Sequence, residues 1–360
     1  MGEYSVPAAE RILLIVNRTA GIGHGRAIVN RLQAMLAEHS GELATLQVES
    51  VGDHPAAKAC AHEFLAASDV PAVVIVGGGS GTLRAVIEGL CEGYGAGELP
   101  GRERVRVGAL RMGSGNPLAR QFGVPPDPES GLRGIIENLR AGRTAACCVL
   151  RCEVGMPNRT TEVYYAATMG GFGQFGRTPG DLVRWHRLVP APRAVVARVV
   201  GIERLNNFEY IVAVLFRAAS CVLLGSSATE LVEVRAEKRK SVVALLAGVV
   251  MNFPFKELPI DPGVRVEDEE ISLYLIPFTG RLSALRLVLT PQRLIRGALR
   301  IKAGKFERVE IRLVDRDAAE FFLDEDPMTF HGRLTLQVAG SLSFVPGPEY
   351  KPRSECEVFA

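Results

Sequence analysis

Little in this chain is extreme, and each thing it lacks removes a class of function. Charge of one sign is missing: 42 Lys and Arg stand against 40 Asp and Glu, a formal net charge of +2. No global basic field marks a nucleic-acid binder, so no nucleic-acid partner is expected, and any steering of an anion falls to local patches. The seven cysteines, Cys60, Cys91, Cys147, Cys148, Cys152, Cys221 and Cys356, lack metal-ligand spacing. Cys148 and Cys152 are near neighbours, but no second pair or His completes a zinc site. They read as free thiols of a reducing cytoplasm. Residues 1–10 lack the basic-then-apolar pattern of a secretory signal. The longest apolar runs, 242–251 and 211–216, fall short of the ~20 residues that a membrane helix needs. The expectation is a soluble, cytoplasmic protein. Internal repeats and low-complexity tracts are also missing.

What is there is length for two domains, 360 residues, each able to bury its own core. The first ~145 residues alternate short β-branched runs (12–16, 43–48, 73–76, 105–109) with alanine-rich helical stretches (25–38, 55–67, 83–90, 131–139). This alternation predicts an α/β domain over 1–145: a Rossmann-like parallel sheet with helices on both faces and ligand loops at the carboxyl ends of its strands. From residue 146 the pattern changes. The runs 147–154, 162–168, 210–216, 218–224, 241–251, 271–276, 309–313, 319–323 and 334–338 read mostly as strands, which predicts a β-sandwich domain over 146–345 and a tail over 346–360.

Chemistry concentrates where apolar strands run into glycine. The run Val73–Val76 meets Gly77-Gly78-Gly79-Ser80-Gly81-Thr82, with a helix expected from Thr82. Glycines there admit positive φ and let backbone N–H groups approach an anion, while a helix N-terminus favours negative charge. Such a turn also serves plain packing. A later loop, Arg111-Met112-Gly113-Ser114-Gly115-Asn116, precedes a helix opening at Pro117, and an earlier one follows the first strand at Asn17-Arg18-Thr19-Ala20-Gly21; along the chain these are the third loop and the first, with 77–82 the second. All three leave strand ends and can share one crevice holding a polyphosphate. No Lys follows Gly81, so this is not a P-loop, and no clean G-x-G-x-x-G with a distal acid supports a dinucleotide site.

With these loops on the page, the chain resembles the diacylglycerol kinase catalytic-domain family, which includes sphingosine kinases and soluble bacterial lipid kinases. That family carries an N-P-x-S-G-G-like loop, then G-G-D-G-T, then P-L-G-T-G-N-D-x-A-R, then L-D-G-E-P. Here the counterparts are Asn17 to Gly21, Gly78 to Thr82, Leu110 to Arg120, and Leu323-Asp324-Glu325-Asp326-Pro327, in the same order over roughly residues 11–345. The resemblance implies ATP with Mg²⁺ as cofactors and a lipid hydroxyl as acceptor, at a cleft between the two domains. It implies nucleotide contacts from Asn17, Thr19, Gly21, Gly78, Gly79, Ser80, Gly81, Thr82, Gly113, Ser114, Gly115 and Asn116. It also implies Asp324 as general base, with Asp326, in place of the family glutamate, orienting it or holding metal. A homodimer is a further expectation.

The acids depart from the family: Ser80 and Pro117 replace aspartates, Asp326 replaces a glutamate, and Glu325 stands where the family has glycine. Glu325 is therefore a candidate metal ligand that restores an acid lost at Ser80. If 324–326 is extended, however, Glu325 points away from its neighbours; a turn would relax that limit. Ser80 reads as a metal-ligating hydroxyl or a helix N-cap, Thr82 as a cap or a phosphate contact, and Asn116 as a nucleotide contact or the closure of its turn. Arg111 and Arg120 are candidate phosphate partners or solvated surface groups. His24 sits in the first loop. Gly170-Gly171-Phe172-Gly173 reads as a cleft-facing loop or a hairpin turn. The stretch 175–204 mixes Arg177, Arg184, Trp185, His186, Arg187, Arg193, Arg198 and Arg204 with aliphatics, a composition that suits either a peripheral membrane surface or an ordinary helical connection. The altered acids also admit a catalytically silent relative that binds nucleotide or lipid.

Overall fold

A computed structural model of the chain describes residues 11–20, 26–40, 45–94, 99–113, 116–167, 169–176, 178, 206–225, 229–237, 239–253, 263–290, 297–305, 307–324 and 326–352. It divides into two compact units. One comprises the described residues up to Cys148 together with those from Gly340 onward, and the other is Val149–Ala339.

In the first unit, β1 (Arg11–Asn17), β2 (Thr45–Val51), β3 (Ala72–Gly78) and β4 (Val105–Arg111) form a parallel sheet in the order β4-β3-β1-β2. Helices α1 (Arg26–Ser40), α2 (His54–Ala66), α3 (Ser80–Tyr94), α4 (Pro117–Gln121) and α5 (Pro128–Arg140) connect and cover it. Alternation along β1 shows why both faces need helices. Ile12, Leu14 and Val16 join Val73 and Ile75 in a core with Leu32 and Leu36 of α1 and Leu132 and Ile135 of α5. Leu13, Ile15, Val74 and Val76 are as deeply buried and point to the opposite face, the side left to the packed pair α2 and α3. Each such side chain contributes about 1.5–3 kcal/mol by leaving water. Asp53 and Asp127 cap α2 and α5 by accepting from the Ala56 and Ser130 N–H groups.

The chain returns to this unit at its end. Ser343 and Phe344 of β15 (Arg333–Phe344) lie parallel to β4, and Phe344 stacks on Phe122 at 4.1 Å between centroids. Asn138 Nδ2 donates to the Pro346 and Gly347 carbonyls. The division thus falls at 148/149 and 339/340, where the sequence pattern suggested 145/146 and 345/346. Composition does not reveal that a closing strand is shared.

The second unit is strand-rich and antiparallel. Its elements are β5 (Ala145–Gly155), β6 (Thr161–Ala166), β7 (Met169–Phe172), α6 (Gly173–Gly176), α7 (Asn206–Leu224), β8 (Glu230–Ala236), β9 (Arg239–Met251), β10 (Glu270–Pro277), α8 (Arg281–Leu289), β11 (Leu299–Gly304), β12 (Arg308–Leu313), β13 (Ala318–Leu323), β14 (Asp326–His331) and most of β15. The long β9 pairs with β8 through its first half and with β7 and β10 through its second.

Two readings are corrected here. Residues 210–216 and 218–224 are one helix, α7, not two strands. A continuous apolar run has no period to separate a buried strand from a helix, and only packing decides. Gly170–Phe172 is neither a cleft-facing loop nor a hairpin turn. It is strand β7, paired on both edges with β13 and β9. The basic stretch with Arg177, Arg184, Trp185, His186, Arg187, Arg193, Arg198 and Arg204 lies outside the described residues, as does His24. Among the described residues no helix is long and apolar enough to cross a membrane.

Candidate functional site

The carboxyl ends of β1, β3 and β4 bring the three glycine-bearing loops of the first unit together. Asn17 closes β1. Its side-chain Nδ2 donates to Thr82 Oγ1 in α3 at 2.9 Å, while its Oδ1 accepts from the Thr19 N–H at 2.9 Å and stands 2.8 Å from Thr19 Oγ1. Asn17 therefore orders its own turn and ties it to the second loop. Thr19 Oγ1 also lies 3.0 Å from the Gly52 carbonyl, anchoring the turn to the end of β2.

The second and third loops meet glycine to glycine. A Cβ on Gly113 would stand 2.3 Å from Gly79 Cα, and a Cβ on Gly78 would stand 2.6 Å from Thr82 Cβ. No side chain fits at either place without moving backbone or the helix start. The cradle is thus narrow by construction.

Helix α3 begins at Ser80, two residues earlier than the sequence suggests, with the Leu83 N–H donating to the Gly79 carbonyl. Gly79 occupies the cap position and has no side chain with which to cap. The opening N–H groups of an α-helix have no intrahelical partners, so Ser80, Gly81 and Thr82 present theirs at the positive end of the helix dipole. The N-cap reading of Ser80 is overturned, because Ser80 is inside the helix. Its hydroxyl is buried and has no hydrogen-bond partner, an arrangement that costs about 1–3 kcal/mol unless something fills it. A small pocket, partly open to solvent, is lined by Gly78, Gly79, Ser80 and Asn116 and by the apolar Val76, Leu83, Ala109, Leu110, Leu118 and Ala119.

Asn116 adopts a left-handed conformation, φ 51°, just before Pro117. Its Oδ1 accepts from the Gly113 N–H at 3.0 Å and its Nδ2 donates to the Gly113 carbonyl. The side chain closes its own loop, the structural alternative raised for it, while still facing the pocket. Arg111 reaches toward the Val124 carbonyl, 3.5 Å away, and Arg120 is exposed on α4. Gly21, Ser114 and Gly115 lie outside the described residues.

In the second unit, Leu323 and Asp326 pair with each other across the β13–β14 hairpin, so the extended reading of this segment gives way to a turn. Asp324 takes φ 47° there, a conformation that acids and amides tolerate better than most side chains. It is 1% exposed, and its Oδ2 accepts from the Ala167 N–H at 3.0 Å. Asp326 opens β14 and is half-buried. Glu325 lies outside the described residues. Sequence reasoning missed Asn252, whose Nδ2 donates to the Ala167 carbonyl at 3.2 Å while its buried Oδ1 has no partner. The one signal was an amide directly after the apolar strand β9. It also missed the pocket's apolar lining, which was legible only as the strand and helix residues flanking each glycine loop.

The donor set of the first unit fits a phosphate-bearing group: helix N–H groups, an orphaned buried hydroxyl and a cradle that a Cβ would fill. It contains no carboxylate, and no group of three or more His, Cys, Asp or Glu among the described residues is placed to hold a metal ion. A divalent cation there would be held chiefly by the phosphates it accompanies.

The fold defines the class: an α/β domain whose glycine loops gather at the strand ends of a parallel sheet, with an antiparallel, strand-rich unit. Residues 11–149 match the family described as diacylglycerol kinase catalytic domain, so the family resemblance read from the glycine loops stands. The whole fold is similar to three solved structures from Bacillus anthracis str. Sterne. One is described as a diacylglycerol kinase (15% identity, TM-score 0.56) and two are provisionally so described (16% identity, TM-scores 0.60 and 0.61). In each case the match covers 94% of this chain and 97% of the other. No curated protein matches the chain.

Proposed function

We propose that the chain is an ATP-dependent lipid kinase that transfers the γ-phosphate to a hydroxyl of diacylglycerol, a sphingoid base or a related lipid. The family match over 11–149 supports a lipid kinase in general. The observation that carries the reading is the buried, unpartnered Ser80 hydroxyl at the mouth of α3, between loops locked by Asn17–Thr82 and Gly79–Gly113. That arrangement is costly when empty and satisfied by a phosphate oxygen.

On this reading the N–H groups of Ser80, Gly81 and Thr82 and the Ser80 hydroxyl hold the phosphates. Gly78, Gly79 and Gly113 keep the backbone close, Asn17, Thr19 and Asn116 fix the loops, and Gly21, Ser114 and Gly115 complete them. ATP brings the transferable phosphoryl group, and Mg²⁺ neutralises its charge. Asp324 takes the acceptor's proton, with Asp326 orienting it and Glu325 supplying a metal ligand. The roles of Asp324 and Asp326 rest on the L-D-G-E-P resemblance, and that of Glu325 on its restoring an acid lost at Ser80.

Purified protein with ATP, Mg²⁺ and a panel of lipid alcohols should release ADP in a lipid-dependent manner. A second reading, a catalytically silent nucleotide binder, is favoured by Ser80 and Pro117 standing where the family has aspartates. Thermal stabilisation by nucleotide without turnover would establish it instead.

A further inference from the structure

Helices α7 and α8 of the second unit pack against each other with their polarity reversed. The core they share with β9 and β10 receives small side chains, Ala218 and Cys221 from α7 and Ala284 from α8. The large apolar residues face outward: Leu215 is 49% exposed, Phe216 71%, Leu223 76% and Leu224 60%, with Leu282 at 60%, Leu285 at 42% and Leu289 at 69%. Scattered exposed apolar residues need no explanation, but six leucines and Phe216 on two helices that pack against each other are more than scatter. The helices meet where α7 ends, since a Cβ on Gly225 would lie 3.1 Å from Arg281 Nε. Leu223 and Leu224 therefore adjoin Arg281 and Leu282.

Charge decides what covers this face. No acid occurs from 210 to 229 or from 271 to 306, whereas these stretches hold Arg217, Arg281, Arg286, Arg293, Arg296, Arg300, Lys302 and Lys305. In a chain balanced at +2, that is a strong local bias. Arg281 and Arg286 are exposed among the leucines of α8, whereas Arg217 is tied to Gln174 Oε1 at 3.0 Å. An apolar face with exposed arginines among its leucines suits the boundary of an anionic bilayer, with leucine and phenylalanine entering the acyl region and guanidinium groups meeting lipid phosphates.

We propose that the α7–α8 face is a membrane-docking surface for anionic phospholipid. It rests on residues other than those of the basic stretch 175–204, and it stands whether or not the kinase reading does. The test is co-sedimentation of the full chain, without nucleotide, with phosphatidylcholine vesicles lacking or containing phosphatidylglycerol. The wild type should sediment with the phosphatidylglycerol vesicles and be released by salt. The double variant Phe216→Ser with Leu223→Ser should lose at least about tenfold in partitioning at an unchanged melting temperature. Arg281→Gln with Arg286→Gln should lose about thirtyfold on anionic vesicles and little on neutral ones, at about fivefold per cation.

Equal partitioning of wild type and both variants overturns the proposal. So does a wild-type dimer in vesicle-free sedimentation velocity that Phe216→Ser with Leu223→Ser converts to monomer, because a second copy then covers the face. Because turnover is not read, failure here leaves the kinase assay to stand or fall separately.

Discussion

The Asn17 side-chain amide donates to Thr82 Oγ1 across 2.9 Å, joining the end of the first strand to the first turn of the helix that follows the third. The bond is half-buried and spans 65 residues of sequence, so it holds two loops in one arrangement rather than finishing either alone. A double-mutant cycle with Asn17→Ala and Thr82→Val should give a coupling energy of about 0.5–1.5 kcal/mol. Simple additivity in urea unfolding would mean the two loops are independent.

The Gly79–Gly113 contact is asymmetric. A methyl on Gly113 points at Gly79 backbone 2.3 Å away, whereas one on Gly79 meets Gly113 Cα at an ordinary 3.5 Å. Gly113→Ala should therefore cost about 1–3 kcal/mol of stability and weaken nucleotide binding at least about tenfold, while Gly79→Ala should cost little stability. Calorimetric titration and denaturant melts of both variants read this directly, and equal effects would contradict the geometry.

Ser80 makes a prediction of opposite sign for the free and the liganded protein. Ser80→Ala removes an unsatisfied buried hydroxyl, so the free protein should be as stable as wild type or up to about 1–2 kcal/mol more stable. The rise in melting temperature produced by ATP with Mg²⁺ should shrink. A variant that melts earlier without ligand would show the hydroxyl already satisfied.

Asp324→Asn keeps a residue that tolerates the left-handed turn and removes the proton acceptor. ADP release should fall about 10²–10⁴-fold with little change in nucleotide-induced stabilisation. Full activity would remove Asp324 from the chemistry and leave it as the residue that holds the Ala167 N–H.

Asp127 offers a pH test away from the site. Hydrogen bonds from the Ser130 side chain and backbone hold its carboxyl below the usual carboxylate range. A folded-state pKa depressed in this way stabilises the protein above the unfolded value near 4 and loses that contribution as pH falls through the folded value. Asp127→Ala should cost about 0.5–2 kcal/mol at neutral pH, and the difference from wild type should close in strong acid. A pH-independent difference would assign the loss to helix propensity rather than to the charged cap.

How much of this was legible in the sequence follows from the physics of each element. Strands buried on both faces, such as 73–76, announce themselves as β-branched runs ending in glycine, and the loops after them must then lie on one edge of a parallel sheet. The meeting of Gly79 with Gly113 was not legible, because it depends on the separation of β3 and β4 at their ends. The start of α3 at Ser80 was missed because serine makes a good cap and glycine a poor helix former, while the local fold chose Gly79 for the cap. Helix α7 was misread because Tyr210 to Leu224 is almost wholly apolar, interrupted only by Arg217 and Ser220. That same lack of a polar face leaves Phe216 and Leu223 at the surface. The acids at 324–326 were recognisable only through a family motif, since their hairpin depends on pairing between β13 and β14.

Hydrogen–deuterium exchange of the full chain with and without ATP and Mg²⁺ reads the backbone N–H groups on which the account rests. Slowed exchange confined to peptides spanning 17–20, 79–83 and 112–117 is the predicted result. Unchanged exchange at all three, under conditions where ATP is bound, would contradict it.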